Sequence, residues 1–407
     1  MSDERKIKQK IVIDTTPELA FEALTQASEL REWFCDRAET EVRPGGRYEV
    51  RWNQGYRAEG RFTELDAPHR AALTWQGTGE PGETAAIFRI EPVEDGVEVT
   101  AIHTGFGPGD EWDRVLTEAE KGWANGLENL KATLETGVDQ RLARQPFLGI
   151  YLDLLTPERA AEEGIAAEEG IYVAGTVEGS AAEAAGLREG DVVVALGDAA
   201  TTGYQELGAA LRAHSAGDRV ELHLVRGQEQ ETVPVTLGTR PQVEVPDIAQ
   251  GLAQAIADRV QEVDAELMAA VDGLGEEEAE QAPAEGEWSV KEVLAHLSIV
   301  ERDYQSLLAA MALDGWRDGG QHNLTVVPGR LAAVLATTPT LEGLVDRFLA
   351  DEAETVAFLR GLPEETVAHK ARFYRIGQTI IGLPDHTQQH IEQIKATVKA
   401  VRGEGSA

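Results

Sequence analysis

Three histidines in the last third of the chain have the residue type and spacing of metal ligands. His386 and His390 lie four residues apart in the stretch HTQQH, and His296 lies in the stretch EVLAHLSIV. Residues four apart on a helix stack on one face, roughly 6 Å apart at Cβ. Two facing helices could therefore bring three imidazoles to one point. Neutral imidazole is a preferred ligand for zinc and nickel, so the cofactor expected here is a divalent ion of the zinc, nickel or manganese class.

The apolar pattern predicts how these histidines are placed. His296 lies on an apolar stripe with spacings of three and four, formed by Val293, Leu297, Val300 and Tyr304. A histidine pair on a helix is by itself also compatible with a solvated polar face. The inward-facing third histidine favours the metal site, because a buried imidazole needs a partner for each ring nitrogen.

The donor set restricts the chemistry of such a site. Three imidazoles leave positions on the ion for water or substrate, which is typical of an open, catalytic site. Thr387 follows His386, so the glutamate of the His-Glu-x-x-His zinc-protease motif is missing. A metal with an open position could bind a thiol and hold it as thiolate for attack on an electrophile.

The elements around the histidines read as a helical bundle. A capping box, Ser289 with Glu292, opens the second helix, and Thr340 opens the third. Four amphipathic helices predict a four-helix bundle with a site between facing helices. The four predicted helical runs are 247–274, 289–313, 340–362 and a last helix through 386–401.

Two stretches, EWSVKEVLAHLSIVERDY and DHTQQHIEQIK, resemble the DinB-like (YfiT-like) bundles, and the resemblance covers about residues 247–401. It implies a divalent metal on His296, His386 and His390. It also implies a thiol-dependent S-transferase or isomerase using a low-molecular-weight thiol, with no catalytic residue assigned, and a homodimer as one arrangement. Pro384 departs from the pattern, because it either breaks the last helix or begins it. If it begins the helix, His386 falls in the first turn.

Polar residues in the predicted connections are further candidates. His322, and His369 with Arg372, Tyr374 and Arg375, could cover the mouth of the site and bind an anionic group. The alternative is that they are solvated loop residues.

The middle of the chain, 141–245, alternates short strands with glycine turns, which predicts a small β-sandwich or barrel. The stretch EGSAAEAAGLREGDVVVALGD resembles PDZ domains of the bacterial protease-associated type, over residues 146–241. The resemblance implies that backbone amides of Phe147, Leu148, Gly149 and Ile150 bind a peptide's terminal carboxylate. The alternative is a rigid spacer, since the insertion TPERAAEEGIAAEEG could crowd the groove. No serine-protease nucleophile motif flanks the segment, so a protease is not expected.

The first segment, 1–140, reads as mixed α/β, with one helix over PELAFEALTQASELREWF, six strands and a long closing helix. The stretches ELREWF, RPGGRYEV, AEGRFTELDAPHRAALTW and GWANGLENLKATLE resemble the Activator of Hsp90 ATPase homologue 1-like family of the START-related (SRPBCC) superfamily, over residues 5–138. The resemblance implies a helix-grip fold whose cavity holds an apolar small molecule. Trp33, Trp52, Trp75 and Phe88 either line that cavity or are ordinary core residues.

Composition sets the outer limits. The 407 residues predict a multidomain α+β chain of three domains, 1–140, 141–245 and 246–407, the last all-α. Acidic residues outnumber basic ones by 72 to 37, so a nucleic-acid partner is not expected. The lone Cys35, and the lack of a signal-like or membrane-spanning run, predict a cytoplasmic protein without a membrane partner. Two functions stay open: a metal-dependent transferase-like enzyme, or a non-catalytic ligand- and peptide-binding adaptor or stress-related protein.

Overall fold

The computed structural model describes residues 5–313 and 329–403. His322, a candidate from the sequence, lies outside the described residues. The chain forms two compact units, one from Met1–Val138 with Glu244–Ala407 and the other from Asp139–Val243. Among the described residues, no helix is long and apolar enough to span a bilayer.

The first segment is an antiparallel sheet packed on a long helix, as its mixed pattern predicts. Its strands follow the order β1-β7-β6-β5-β4-β3-β2. The closing helix ends at Gly137, which adopts the left-handed conformation typical of a helix terminus. The elements are β1 Lys6–Ile13, α1 Pro17–Thr25, α2 Ala27–Trp33, β2 Arg37–Thr40, β3 Arg47–Arg51, β4 Arg57–Asp66, β5 Arg70–Gly77, β6 Thr84–Val93, β7 Gly96–Thr104 and α3 Asp110–Thr136.

Two details of this segment differ from the sequence prediction. The single helix expected over PELAFEALTQASELREWF is divided, because Gln26 is extended and separates α1 from α2. The division lets α2 turn Trp33 into the core, where it is 2% exposed. The sheet also has a seventh strand, β2, which pairs with β3 and which the charged, alternating stretch RAET did not reveal. The sequence-based expectation of six strands was therefore wrong by one edge strand.

The helical segment contains the four predicted long helices, and shorter ones between them. The capping box of Ser289 and Glu292 is present, and the Thr340 hydroxyl accepts a hydrogen bond from the amide of Gly343. The helices are α8 Ala249–Val271, α9 Glu276–Glu280, α10 Val290–Ala312, α11 Arg330–Thr337, α12 Leu341–Arg360, α13 Glu364–Ala368, α14 Lys370–Ile381 and α15 Leu383–Val401.

One residue, Gly382, joins α14 to α15, and Pro384 lies in the first turn of α15. Proline is tolerated there because the first helical amides have no intrahelical acceptor. Pro384 therefore begins the last helix, and the His386 amide donates one of its first backbone bonds, to Gly382. The sequence predicted a connection over residues 369–375. That prediction was wrong, because these residues form the N-cap and first half of α14.

The second unit is a small sheet domain with helices beside it. Its main sheet runs β14-β13-β11-β10-β9, so β9 is an edge strand, and β15 pairs with β8 in a separate two-stranded sheet. The elements are α4 Gln140–Ala143, β8 Pro146–Phe147, β9 Ile150–Leu154, α5 Pro157–Glu163, β10 Ile171–Thr176, α6 Ala181–Ala184, β11 Asp191–Leu196, β12 Ala199–Ala200, α7 Tyr204–Arg212, β13 Arg219–Arg226, β14 Glu229–Thr236 and β15 Gly238–Thr239.

Candidate metal centre

The three histidines selected from the sequence meet between α10 and α15. Nε2 of His390 lies 3.1 Å from Nε2 of His296 and 3.2 Å from Nε2 of His386. One nitrogen from each ring lies within 4.8 Å of the others. His296 is 8% exposed, whereas His386 and His390 are half-buried, so the cluster lies between the core and the surface.

The nitrogen separations fit ligands of a single ion. Two nitrogens each about 2.1 Å from a metal lie about 3.0 Å apart at a right angle and about 3.4 Å apart at a tetrahedral angle. The two observed separations, 3.1 and 3.2 Å, fall between these values. The residues present therefore fit a divalent ion of the class that prefers imidazole.

A neighbouring side chain fixes the tautomer of one of the three histidines. Nδ1 of His390 lies 2.8 Å from Oε1 of Gln393, an oxygen that can only accept a hydrogen bond. Nδ1 of His390 therefore carries the proton, and its Nε2 presents a lone pair to the other two rings. Nδ1 of His386 is buried and has no hydrogen-bond partner in the described structure.

Burial keeps two of the rings in the form that binds metals. It lowers the pKa of His296 to about 4, assisted by the nearby charges of His390 and His386. Burial, with the charge of His390, also lowers the pKa of His386. These rings are neutral near pH 7, as ligands must be. Trp288 packs on His296 with ring centroids 4.9 Å apart and gives the site an aromatic wall.

A group of buried carboxyls in the same bundle was missed by sequence reasoning. Glu301 and Glu352 are 3% and 2% exposed, and both line a small cavity with Thr355. The Thr355 hydroxyl donates to Glu301 over 2.6 Å, and the Asp264 carboxyl lies beside Glu352. Burial raises the pKa of Glu301 to about 7, and burial with the Asp264 contact raises that of Glu352. In the sequence, these residues are marked only by being acids within the apolar pattern of a helix.

In the first segment, the four predicted cavity aromatics surround Phe34 and Trp123. Trp33 and Trp52 lie 4.8 and 5.1 Å from Phe34 between ring centroids. Trp75 and Phe88 lie 5.9 and 5.4 Å from Trp123. The indole N–H groups of Trp33 and Trp52 donate to the carbonyls of Ala23 and Phe34. The assignment of these rings to a ligand cavity stays a prediction.

His103, which the sequence did not single out, lies within this aromatic group. Trp123 Nε1–H donates to its Nδ1 over 3.1 Å, so the ring proton is on Nε2, 2.7 Å from the Thr84 hydroxyl. Burial lowers the pKa of His103 to about 4. Both nitrogens are satisfied, which makes this histidine a neutral structural residue of the core.

In the second unit, the predicted carboxylate-binding residues form the turn from β8 into β9. Gly149 has a φ of +83°, and a Cβ there would overlap Ser180. Its carbonyl accepts from the Val177 amide and the Ser180 hydroxyl, and the Leu148 carbonyl accepts from the Ala182 amide. In a trans peptide the amide points opposite to the carbonyl. The amides of Gly149 and Ile150 therefore point away from α6.

The side chains of this turn divide between core and surface. Leu148 and Ile150 are 2% and 8% exposed and pack in the core of the unit. Phe147 is half-buried, and the guanidinium of Arg240 lies 5.2 Å from its ring centroid. Leu152 and Leu154, on the edge strand β9, are 39% and 42% exposed.

The insertion after β9 lies on the face opposite to α7. It contributes Ile165 to a cluster with Tyr172 and Val192, whereas α7 packs in the cluster with Ile171 and Val193. Successive residues of a strand point to opposite faces. The predicted crowding of the groove beside β9 and α7 is therefore wrong.

Comparison with known proteins confirms the three resemblances. Residues 14–135 match the family model for Activator of Hsp90 ATPase homolog 1-like proteins, residues 146–237 match the model for PDZ domains, and residues 259–394 match that for the DinB superfamily. The chain therefore combines three segments that match these three family models, in the predicted order and with the predicted fold classes.

The individual relatives cover parts of the chain. A probable periplasmic serine endoprotease DegP-like protein of Rhizobium meliloti is 32% identical over 109 residues, which are 26% of this chain and 22% of that protein. The Aha1 dimer of Colwellia psychrerythraea is 24% identical, covering 32% of this chain and 96% of its own, with a TM-score of 0.29. An HSP90 activator of Plasmodium falciparum is 21% identical, covering 32% of this chain and 95% of its own, with a TM-score of 0.28.

Proposed function

We propose that the bundle is a metal-dependent enzyme of the thiol S-transferase type, with His296, His386 and His390 as ligands. The convergence of three Nε2 atoms, two pairs of them 3.1 and 3.2 Å apart, carries this proposal. A bound divalent ion would hold a low-molecular-weight thiol as the thiolate, the nucleophilic form of sulfur.

The chain's own residues do three things for this reaction. Gln393 holds the proton of His390 on Nδ1 and so aims Nε2 into the site. Trp288 and the buried His296 exclude water from one side, which strengthens electrostatic interactions inside. His386, in the first turn of α15, is the ligand nearest to a helix end, where the positive helix dipole favours an anionic thiolate.

Metal content of the full chain tests the metal centre. The wild type should carry about one zinc, nickel or manganese ion per chain by elemental mass spectrometry, and His390→Ala should lose it. Gln388→Ala, on the same helix but hydrogen-bonded to Glu266, is the matched control and should keep the ion. A wild type that binds none of these ions, and gains no thermal stability from them, contradicts the proposal. A metal-loaded protein then justifies a screen of thiols with electrophiles.

We infer a peptide-binding function for the second unit on a separate observation. The edge strand β9 follows a turn whose Gly149 and Ile150 amides point away from the unit's own α6, as a carboxylate receptor requires. Peptides with a free terminal carboxylate should bind the full chain, and their amidated copies should bind at least about tenfold more weakly. Equal binding of both forms would leave only the spacer role. If the bundle carries no metal, this binding function leaves a non-catalytic adaptor as the alternative for the whole chain.

We also propose that an apolar small molecule binds beside the aromatic group of the first segment, where Trp52 is half-buried and is the most exposed of the four rings. Quenching of tryptophan emission by a library of apolar compounds tests this, and the absence of any saturable quenching contradicts it. Cytoplasmic location and a homodimer are tested by fractionation and by sedimentation of the purified chain.

A further inference from the structure

Helix α14 lies between the first segment and the helix that carries two metal ligands. Its N-cap residue and two residues of the helix, spaced three apart, contact acids of α1 and α2, and the two arginines among them form ion pairs. His369 Nε2 lies 3.1 Å from Glu22, and Arg372 lies 3.2 Å from Glu29. A third pair joins Arg375 to Glu32 over 2.8 Å. We call these three pairs the α14 seam.

The seam is closely packed. The Arg372 and Glu29 side chains are only 12% and 13% exposed, so their charges are little screened by solvent. At the end of α3, a Cβ on Gly137 would overlap the Lys370 carbonyl and the Tyr374 Cβ. The backbone of the first segment thus approaches α14 to a distance that only glycine permits.

The opposite face of α14 belongs to the bundle. Phe373, Ile376 and Ile380 are at most 2% exposed and pack in the hydrophobic cluster that also contains Leu383, the first residue of α15. One helix therefore presents a charged face to the first segment and an apolar face to the bundle core. Contacts with the first segment and with the bundle core therefore both determine the position of α14.

The metal ligands follow directly along the chain. Gly382 alone separates α14 from α15, and His386 lies in the first turn of α15, four residues beyond Gly382. Helix ends fray most easily, because their terminal backbone groups lack intrahelical partners. The placement of His386 relative to His390 therefore depends on how firmly α14 is held.

We propose that the α14 seam couples the first segment to the metal centre, so that its ion pairs raise the affinity of the three histidines for metal. When the seam is closed, the first turn of α15 is ordered before metal binds, and binding loses less conformational entropy. Coupling is reciprocal, so bound metal in turn stabilises the contact of α14 with α1 and α2. This inference rests on the proposed metal centre.

Charge reversal across the most buried pair tests the coupling in the full chain. Arg372→Glu places two carboxylates together, as Glu29→Arg places two guanidinium groups together, and the double variant restores an ion pair with exchanged signs. Zn²⁺ affinity is measured by competition with a chromophoric chelator, and hydrogen exchange of residues 17–33 reports whether the seam is open. Arg330→Glu, which breaks the Arg330–Asp303 pair inside the bundle, is the matched control.

Each single reversal should weaken Zn²⁺ binding by about fivefold or more and speed exchange in residues 17–33, whereas the double variant recovers both. Added Zn²⁺ should slow that exchange in the wild type. If a single-reversal variant exchanges faster in residues 17–33 but binds Zn²⁺ as tightly as the wild type, the coupling is overturned and the metal centre is unaffected. A wild type that binds neither Zn²⁺ nor nickel or manganese overturns the metal centre, and the coupling with it. If Arg372→Glu does not fold, Arg372→Gln removes the same ion pair without repulsion and is judged by the same readouts.

Discussion

Nδ1 of His390 and Oε1 of Gln393 lie 2.8 Å apart, within one turn of α15. The contact orients the imidazole, since the amide oxygen accepts the ring proton and leaves the lone pair of Nε2 facing His296 and His386. Partners of this kind commonly change metal affinity by about 10- to 100-fold. The histidines thus depend on a fourth residue that no ligand motif contains.

Gln393→Leu is expected to lower Zn²⁺ affinity by about 10- to 100-fold, because Nδ1 of His390 loses its acceptor. Gln393→Glu keeps an acceptor and should bind Zn²⁺ at least as well as the wild type. Chelator competition on the folded variants measures both. The orienting role is disproved by a leucine variant that binds zinc as tightly as the glutamate variant.

A pair of glycines in the second unit separates steric overlap from backbone strain. Gly149 and Gly179 both have a positive φ, but only at Gly149 would a Cβ overlap a neighbour, Ser180. Gly179→Ala should cost about 1 kcal/mol of unfolding free energy, from the left-handed conformation alone. Gly149→Ala should cost about 3 kcal/mol or more, and should also abolish binding of carboxylate-terminated peptides. Denaturant unfolding followed by a probe in this unit gives both values, and equal costs would contradict the close approach.

The buried Glu301 should make the protein less stable as the pH rises. Its pKa is near 4.5 in the unfolded chain and about 7 in the folded one, so the folded state binds more protons between these values. Stability is then lost progressively from about pH 4.5 to 7, by roughly 3 kcal/mol for this group. Glu301→Gln can still accept from Thr355 and should remove that slope. Urea unfolding at pH 5 and pH 8 measures the difference, and an unchanged slope would contradict it.

Glu352→Gln should likewise reduce the loss of stability as the pH rises. Its effect should extend above pH 7, because the pKa of Glu352 is raised further than that of Glu301.

His103 should produce the opposite dependence. Burial lowers its pKa from 6.5 to about 4, so the unfolded chain binds more protons between these values. Stability is therefore present above about pH 6.5 and is lost as the pH falls toward 4, by roughly 3 kcal/mol. His103→Gln removes the titrating group, and its stability should depend less steeply on pH in this window. In the wild type this slope opposes that of Glu301, so each effect is measured as a difference between variant and wild type. A parallel pH profile for His103→Gln and wild type would mean that His103 is not buried in the neutral form.

The sequence was sufficient for features that depend on neighbours along the chain. The periodicity around Val293 and Leu297 placed His296 inward, and the four-residue spacing placed His386 above His390. The capping box at Ser289 is equally local. The three fold classes followed in the same way, because strand alternation and helical periodicity are read within single elements.

Features that depend on distant partners could not be predicted. Arg372 and Glu29 are 343 positions apart, and nothing near Arg372 distinguishes a seam residue from a solvated one. The acids Glu301 and Glu352 are buried only because four helices, α8, α10, α12 and α15, pack around them. The division of the first helix at Gln26 likewise follows from docking of α2 and not from a local breaker such as proline or glycine.

Helix α14 touches the chain on both sides of the second unit. Gly137, just before that unit, packs against Lys370 and Tyr374, and Val245, just after it, packs against Gly377. The two ends of the interrupted chain therefore abut one helix within about two turns, or roughly 10 Å along its axis. In architectural terms the second unit is an insertion into a fold that is complete without it. A short flexible tether in place of residues 139–243 could bridge the gap, so the second unit can be gained, lost or exchanged while the rest of the protein keeps its core.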